Sequence, residues 1–152
     1  MTESNFEKEY SQLMGELSSK YVMVLATSLN DIVTARNVTT IIYNNRIYFQ
    51  TDSIMEKVKQ IEKNPNIALC TENYQIQGKA RSIGFWNDNP NIEEAYRKIH
   101  ESAYQKYSGI KTEVIIEIEI SRIKKWEYIE GKPFILDINA TRKEARREEY
   151  KM

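Results

Sequence analysis

The sequence predicts a mainly β protein with flanking helices, in which six or seven antiparallel strands form a sheet that closes into a barrel. Two observations predict this class. Most of the chain consists of segments rich in β-branched and aromatic residues that short turns separate, as in antiparallel hairpins. Apolar residues at helical spacing are confined to three segments, one near the start of the chain and two in its middle.

Seven segments are predicted to be strands because they are continuously apolar or alternate apolar with polar residues: 21–28, 33–43, 46–51, 66–73, 74–85, 112–129 and 133–138. The second and third strands form a hairpin about Asn44-Asn45, since asparagine tolerates the positive φ of a tight turn. In this register, residues whose numbers sum to about 89 lie opposite each other.

Alternation along three of these strands assigns their two faces. The residues predicted to face the core are Ile47 and Phe49, then Ile76, Gly78 and Ala80, then Val114, Ile116, Ile118 and Ile120. The opposite face carries Tyr48 and Gln50 on the first of these strands. On the last one it carries Glu117 and Glu119, which are expected to point outward.

Helices are predicted over residues 4–19, over a short segment between Thr51 and Asn64-Pro65, and over residues 89–107. The apolar stripes expected to be buried are Ile54, Val58 and Ile61 on the second helix, and Ile92, Tyr96, Ile99 and Ala103 on the third. Residues 139–152 have almost no apolar stripe, so they are expected to form either a solvated helix or a frayed tail.

Composition limits the class of protein. A length of 152 residues fits one domain spanning 1–152. The 22 basic and 22 acidic residues leave no net charge, which argues against a nucleic-acid partner. The polar N-terminus and the lack of a long apolar run indicate a cytoplasmic protein without a membrane partner. The single cysteine, Cys70, fits a reducing compartment and is expected to be a small core residue, with a reactive thiol as the alternative.

The segment after the third strand has the residues of an anion site. Ser53 and Glu56 have the spacing of a helix capping box, and a well-capped helix is one complete explanation of them. The other explanation is a phosphate site, because Thr51 offers a hydroxyl, Lys57 an ammonium and the helix its free N–H groups. In the predicted hairpin register, Arg36 lies close to this helix start and can bind the same anion.

These residues form part of a longer pattern that extends from Val24 to Ala80. Its elements, in order, are Arg36-Asn37-Val38, Phe49-Gln50-Thr51, Lys57, Asn64-Pro65 and Gly78-Lys79-Ala80. Each element alone is weakly specific, but their order and spacing together resemble the FMN-binding split-barrel family related to pyridoxamine 5′-phosphate oxidase. The resemblance is strong over this stretch and looser over the rest of the chain.

The resemblance implies a split barrel with an FMN site. Arg36 and Lys57 would bind the phosphate with help from Thr51. The isoalloxazine and ribityl groups would lie against Asn37, Val38, Thr39 and Gln50, and Asn73 and Trp126 would contact the flavin. The family is typically a homodimer with its cofactors at the interface, so some of these residues would act on the partner's cofactor. FAD, F420 and haem are alternative cofactors, because related groups share the barrel.

Two departures from the family limit what the resemblance implies. Where the family often has an arginine at the helix start, this chain has Glu56, which would repel a phosphate unless it is drawn into the capping box. The residues with which the true oxidases hold pyridoxal have no counterpart here, since the last predicted strand reads Phe-Ile-Leu-Asp-Ile-Asn. The expected function is therefore that of an oxidoreductase with an unidentified small-molecule substrate.

Other functions stay open at this point. One alternative is a haem-handling protein, for which His100 is the single histidine, although a lone histidine is more typical of a surface or capping residue. A second is a flavin-binding module without turnover. A third is an empty barrel in which Glu56 has abolished cofactor binding. No metal motif and no catalytic residue are predicted. Trp86 fits a packed loop aromatic, with a lid or an interface anchor as its alternatives.

Overall fold

The computed structural model describes residues 3–151. Within this range four helices and eight strands follow one another as α1 (Glu3–Leu17), β1 (Val22–Leu29), β2 (Ile32–Tyr43), β3 (Arg46–Asp52), α2 (Glu56–Lys63), β4 (Asn66–Thr71), β5 (Tyr74–Ser82), α3 (Pro90–Ile99), α4 (Glu101–Tyr107), β6 (Glu113–Ile129), β7 (Lys132–Asn139) and β8 (Glu144–Glu149). A short 3₁₀ turn, Trp86–Asp88, precedes α3. The predicted class, mainly β with flanking helices, is confirmed.

The sheet closes because β6 pairs with two different strands over its first half. The order β3-β2-β1-β4-β5-β6 forms a ring when β6 also pairs with β3, and every described pairing is antiparallel. Gly78 lies at an irregularity between β5 and β6, where a Cβ atom would collide with the carbonyl oxygen of Glu119. Beyond its pairing with β3, β6 pairs with β7 instead, while residues 122–125 still pair with β5, and β7 pairs with β8. This is a split barrel.

The β2–β3 hairpin has the predicted register. Thr40 lies opposite Phe49, and Tyr43 opposite Arg46, so paired residues sum to 89. Asn44 and Asn45 have φ values of 49° and 60°, which is the geometry of a two-residue turn that matches the twist of the strands. The hairpin therefore fixes which side chains of β3 face the core.

Two clusters of buried side chains lie on opposite faces of the sheet. The interior cluster includes Ile47 and Phe49 of β3 and receives the apolar stripe of α1. The second cluster joins Tyr48, Trp86, Tyr96 and other residues under α3 and α4. Tyr48 and Phe49 are neighbours in sequence but belong to different clusters, as the alternation along a strand requires. The predicted core faces of β3, β5 and β6 are confirmed.

Residues 139–152 were predicted to be a solvated helix or a frayed tail, and this prediction is wrong. Glu144–Glu149 form β8, the eighth strand, and Met152 lies outside the described residues. The strand has no apolar stripe because Ala145 is its only buried residue. Arg147, on the same face, is held by two hydrogen bonds of 3.0 and 3.1 Å to Glu9 of α1. Charged side chains are typical of an edge strand.

The predicted capping box is also absent. Met55 is the N-cap of α2, and no side chain caps the helix. Asp52 instead stabilises the turn before the helix, because its Oδ1 accepts a hydrogen bond of 3.1 Å from the backbone N–H of Ile54. The helix begins only at Glu56, and Ile54, which precedes it, is 65% exposed rather than buried. Glu56 is free of the capping role proposed for it.

Three smaller predictions fail. The helix expected over residues 89–107 is broken at His100, which ends α3 and precedes α4, so Ile99 is turned outward and exposed. Cys70 is exposed, because the even positions of β4 face solvent. Glu117 lies on the predicted outer face of β6, yet it is only 8% exposed because other side chains cover it.

None of the helices in residues 3–151 combines the length and the apolar character needed to cross a membrane.

Candidate functional site

A cavity of about 370 Å³ lies where the middle of β2, the end of β3 and the start of β6 meet α2, α3 and α4. We call it the strand-end cavity. Six of the residues predicted to bind a cofactor line it: Asn37, Val38, Thr39, Gln50, Thr51 and Lys57. Its size is within the usual range for a small-molecule site. The hairpin register and the start of α2 bring these residues together, so the sequence pattern corresponds to one place in the fold.

Arg36 does not line this cavity. Its Nη1 donates to Leu25 O at 3.2 Å and to Thr27 Oγ1 at 2.8 Å, and its Nη2 donates to Thr34 Oγ1 at 2.6 Å. All three acceptors are neutral oxygens, so no carboxylate neutralises the guanidinium through these bonds. Burial lowers the pKa of Arg36, and the nearby Glu56 carboxylate opposes that shift.

Thr51 and Lys57 converge on a weak acceptor. The Oγ1 of Thr51 lies 3.7 Å from Sδ of Met55, and the Nζ of Lys57 lies 3.2 Å from the same sulfur. A thioether sulfur accepts hydrogen bonds poorly, so both donors are available to a better acceptor such as a phosphate oxygen. Burial and the charge of Arg36 lower the pKa of Lys57, while Glu113 and Asp52 raise it.

Gln50, which lines the same cavity, has an unused acceptor. Its Nε2 donates to Ser108 Oγ at 3.3 Å, which fixes the amide. Its Oε1 is almost completely shielded from solvent, and no other side-chain nitrogen or oxygen in the described range is both so shielded and without a hydrogen-bond partner. An unpaired buried acceptor costs on the order of 1–3 kcal/mol, so its environment favours a ligand that donates an N–H or O–H there.

Glu113 is a site residue that the sequence reasoning missed. It starts β6 directly opposite Asp52, lines the strand-end cavity, and is only 6% exposed. Within residues 3–151 nothing donates a hydrogen bond to its carboxylate. Burial first, and the Asp52 carboxylate second, raise the pKa of Glu113 to about 7, against the opposing effect of Lys57. Only the β3–β6 pairing brings Glu113 here, and no local pattern in the sequence signals it.

Asn73 and Trp126, the remaining predicted cofactor ligands, lie elsewhere and are bound to each other. Trp126 N donates to Asn73 O at 3.1 Å, and Asn73 Nδ2 donates to Trp126 O. The Trp126 ring packs against Tyr150 with ring centroids 5.2 Å apart. Neither residue lines the strand-end cavity of its own chain.

The electrostatics of the site are mixed. The site contains two cationic residues and three acidic residues that interact electrostatically: Arg36, Lys57, Asp52, Glu56 and Glu113. Because Glu56 is exposed and makes no capping bond, its charge is not withdrawn from the helix start. An anion at this point would therefore be bound by well-placed donors but opposed by neighbouring carboxylates.

Solved structures share this fold. A protein from Nostoc punctiforme, described as pyridoxamine 5′-phosphate oxidase-related and FMN-binding, superposes with a TM-score of 0.66 at 14% identity over 95% of each chain. General stress protein 26 from Bacillus anthracis gives 0.63 at 17% identity, covering 76% of this chain and 91% of that one. An FAD-binding protein from Mesorhizobium loti gives 0.60 at 10% identity, covering 74% and 88%.

Sequence comparison adds nothing to this likeness. No family model matches the chain, and no curated protein matches it. At these identities the likeness establishes the fold, which is the split barrel of the pyridoxamine 5′-phosphate oxidase-like proteins. The predicted fold is confirmed, and the roles of the individual site residues stay predictions.

Proposed function

We propose that this protein binds FMN in the strand-end cavity and acts as an oxidoreductase on a small molecule. The observation that carries the proposal is the set of under-used polar groups around one cavity. Thr51 and Lys57 share only a thioether acceptor, and Gln50 Oε1 has no partner at all. Proteins described as FMN-binding and FAD-binding have the same fold, which supports a flavin as the ligand.

The phosphate of FMN would lie at the start of α2. The hydroxyl of Thr51 and the ammonium of Lys57 are the donors there, and the first N–H groups of α2 have no partner within the helix. Arg36 adds positive charge near the phosphate from outside the cavity lining. Hydrogen bonds to Thr27 and Thr34 fix the position of its guanidinium. Backbone and side-chain groups together then bind both the charge and the shape of a phosphate.

The remainder of the flavin would lie along Asn37, Val38 and Thr39 of β2. Gln50 Oε1 would accept a hydrogen bond from a ribityl hydroxyl or from the ring N–H, which removes the cost of burying it unpaired. When bound, FMN would supply the electron-transfer chemistry, and the chain would position it, exclude water and tune its surroundings. Glu113 faces this cavity with a pKa of about 7, so it can hold or release a proton there near neutral pH.

The proposal includes a homodimer with a cofactor at the interface. It explains why Asn73 and Trp126 lie outside the strand-end cavity of their own chain, since in a dimer they would act on the partner's cofactor. Exposed apolar residues are available for such an interface, among them Ile32 and Val33, which are 65% and 66% exposed.

A haem cofactor has no comparable support. His100 Nε2 lies 2.9 Å from Thr40 O, and since a carbonyl oxygen only accepts, this nitrogen donates its proton there and is not free to bind iron. His100 is also absent from the lining of the strand-end cavity.

The first test is the visible absorption spectrum of the purified protein, followed by denaturation and identification of any released ligand. We expect flavin bands and released FMN, or flavin binding on addition of FMN to a colourless preparation. A Soret band would favour haem instead. A protein that is colourless and does not bind added FMN would overturn the proposal.

The second test is the substitution Lys57→Ala. It should weaken FMN binding by about 1.5–3 kcal/mol, the scale of one hydrogen bond to a charged group, as measured by quenching of flavin fluorescence. Lys59→Ala is the matched control, because Lys59 lies on the same helix and is exposed outside the cavity. Equal affinities for the two variants would remove Lys57 from the site.

A further inference from the structure

A second cavity, of about 470 Å³, adjoins the strand-end cavity. Its lining includes Phe85, Trp86, Tyr104, Glu93 and Glu113, and we call it the aromatic cavity. Glu113 and Ile110 line both cavities. The two spaces are therefore separated by a wall of single side chains, and molecules that occupied both would be neighbours.

Ser108 ties this wall together. Its Oγ lies 2.9 Å from Trp86 Nε1 on one side and 3.3 Å from Gln50 Nε2 on the other. Trp86 lines the aromatic cavity and Gln50 the strand-end cavity. One hydroxyl thus accepts a hydrogen bond from a lining side chain of each cavity.

Three aromatic side chains, Phe85, Trp86 and Tyr104, line the aromatic cavity. The Trp86 ring packs against Tyr96 and Tyr104, with centroids 5.0 and 5.9 Å apart, so it is a rigid wall. Phe85 is 46% exposed, which leaves a second ring available beside it. Rigid aromatic walls favour planar ligands, because rings stack at little entropic cost.

The fixed charges of the aromatic cavity are acidic. The carboxylate of Glu93 is held by a hydrogen bond of 2.8 Å from the hydroxyl of Tyr104. Glu113 is more than nine-tenths buried, and within the described range its carboxylate receives no hydrogen bond. The cation in the lining, Lys111, is exposed to solvent. Two acids with unfilled acceptor capacity favour a ligand that donates N–H bonds or carries positive charge.

We infer that the aromatic cavity binds a planar nitrogen heteroaromatic compound that carries a positive charge or N–H donors, and that this is the substrate site. That the ligand is a substrate rests on the function proposed above. That the cavity binds a ligand of this class does not. The shared wall then places the substrate beside the cofactor, and Glu113 lines the cavity of each.

Two probes with one ring skeleton test the ligand class: 4-aminoquinoline, which is cationic near neutral pH and carries N–H groups, and quinoline-4-carboxylate, which is anionic. Binding is followed by tryptophan fluorescence and by the two indole N–H signals in a ¹⁵N NMR spectrum, which Trp86→Phe assigns. We expect 4-aminoquinoline to bind at least about tenfold more tightly, as a charge-assisted hydrogen bond implies, and to shift the Trp86 signal but not that of Trp126.

A matched pair of variants locates the charge. Glu93→Gln should weaken 4-aminoquinoline binding about fivefold to tenfold, since it removes a charged acceptor from the cavity. Glu94→Gln, the neighbouring residue on α3, should leave it unchanged, because Glu94 is exposed and pairs with Lys98. Equal effects of the two variants, tighter binding of the carboxylate, or a shift confined to Trp126 would overturn the inference.

Adding FMN together with 4-aminoquinoline tests the aromatic cavity separately from the proposed flavin-binding function. If 4-aminoquinoline and FMN bind together, both are supported. If FMN displaces the probe, the cofactor itself occupies the aromatic cavity, and the inference fails while flavin binding stands. If the probe binds and FMN does not, the ligand class of the cavity stands, and both the proposed function and the substrate role fail.

Discussion

Glu113 and Glu117 lie on the same strand, face the same side of the sheet, and are exposed to nearly the same extent, at 6% and 8%. Their carboxyl groups nevertheless respond in opposite directions. The pKa of Glu113 is raised to about 7, whereas that of Glu117 is lowered. Burial disfavours the charged form of both, so burial does not account for the difference.

The difference lies in the partners. Glu117 accepts hydrogen bonds of 2.9 Å from Arg46, Tyr48 and Arg81, and these donors outweigh its burial. Glu113 has a carboxylate, Asp52, directly opposite it in the ladder. A saturated buried carboxylate stabilises the fold, while an unsaturated one beside a cavity remains available to a ligand. The contrast distinguishes a structural residue from a site residue on one strand.

The largest expected effect comes from Glu117→Gln. It weakens three hydrogen bonds and leaves the buried Tyr48 hydroxyl without its carboxylate, so the free energy of unfolding should fall by about 2 kcal/mol in urea denaturation. Because the pKa of Glu117 is lowered from 4.5, this contribution is present above that pH and is lost as the pH falls through the folded-state value. Glu119→Gln, at an exposed position of the same strand, is the control. Equal stability of the two variants would end the comparison.

Glu113→Gln should act in the opposite direction. Its pKa rises from 4.5 to about 7 on folding, so the native state holds a proton that the unfolded chain has released, and stability falls as the pH rises through this window. Glutamine removes that penalty. We expect the variant to be more stable than the wild type by about 1 kcal/mol at pH 8 and equally stable at pH 4. A variant that is destabilised at pH 8 would show that Glu113 has a donor in solution.

Asp52→Asn sharpens the cause of the shift. It removes the facing negative charge while keeping an oxygen for the turn at Ile54, so the pKa of Glu113 should move down toward its ordinary value. The measurement is an NMR titration of the side-chain carboxyl signals. The Glu117 signal serves as an internal reference, because Asp52 is not among the causes of its shift. An unchanged Glu113 titration would leave burial as the sole cause.

The smallest effect is expected for Glu56→Arg. The substitution replaces an exposed acid near Arg36 with a cation, so FMN binding should tighten by about 0.5–1 kcal/mol, the scale of an exposed charge pair. Riboflavin, which lacks the phosphate, should bind equally to the wild type and the variant. Looser FMN binding would show that Glu56 contributes a favourable contact in the complex.

Local chemistry made much of the barrel predictable. The Asn44-Asn45 turn fixes a register, and that register fixes the faces of β3, because both depend on residues within one hairpin. The eighth strand was not predictable in this way. Its inward side is formed by Ala145 and by Arg147, whose partner Glu9 lies at the other end of the chain. The missing apolar stripe predicted a solvated helix or a frayed tail, because the partner of Arg147 is not visible in the local sequence.

The site divides along the same line. Thr51 and Lys57 were found because they flank one strand-to-helix turn, while Glu113 was missed because it reaches the cavity through the β3–β6 pairing. Asp52, which the sequence pattern did not single out, decides both the start of α2 and the charge facing Glu113. Residues that act through distant neighbours leave little trace in a single sequence.

The closure of the barrel has a consequence for how the chain acquires its structure. β3 completes the ring only with β6, and the Arg46–Glu117 contact spans 71 positions. Contacts of such high sequence separation slow folding, because a long loop must close first. During synthesis, β3 therefore waits as an open edge until β6 has emerged, and an open edge is prone to pair with other chains. A nascent chain halted before residue 113 would keep this edge of β3 unpaired.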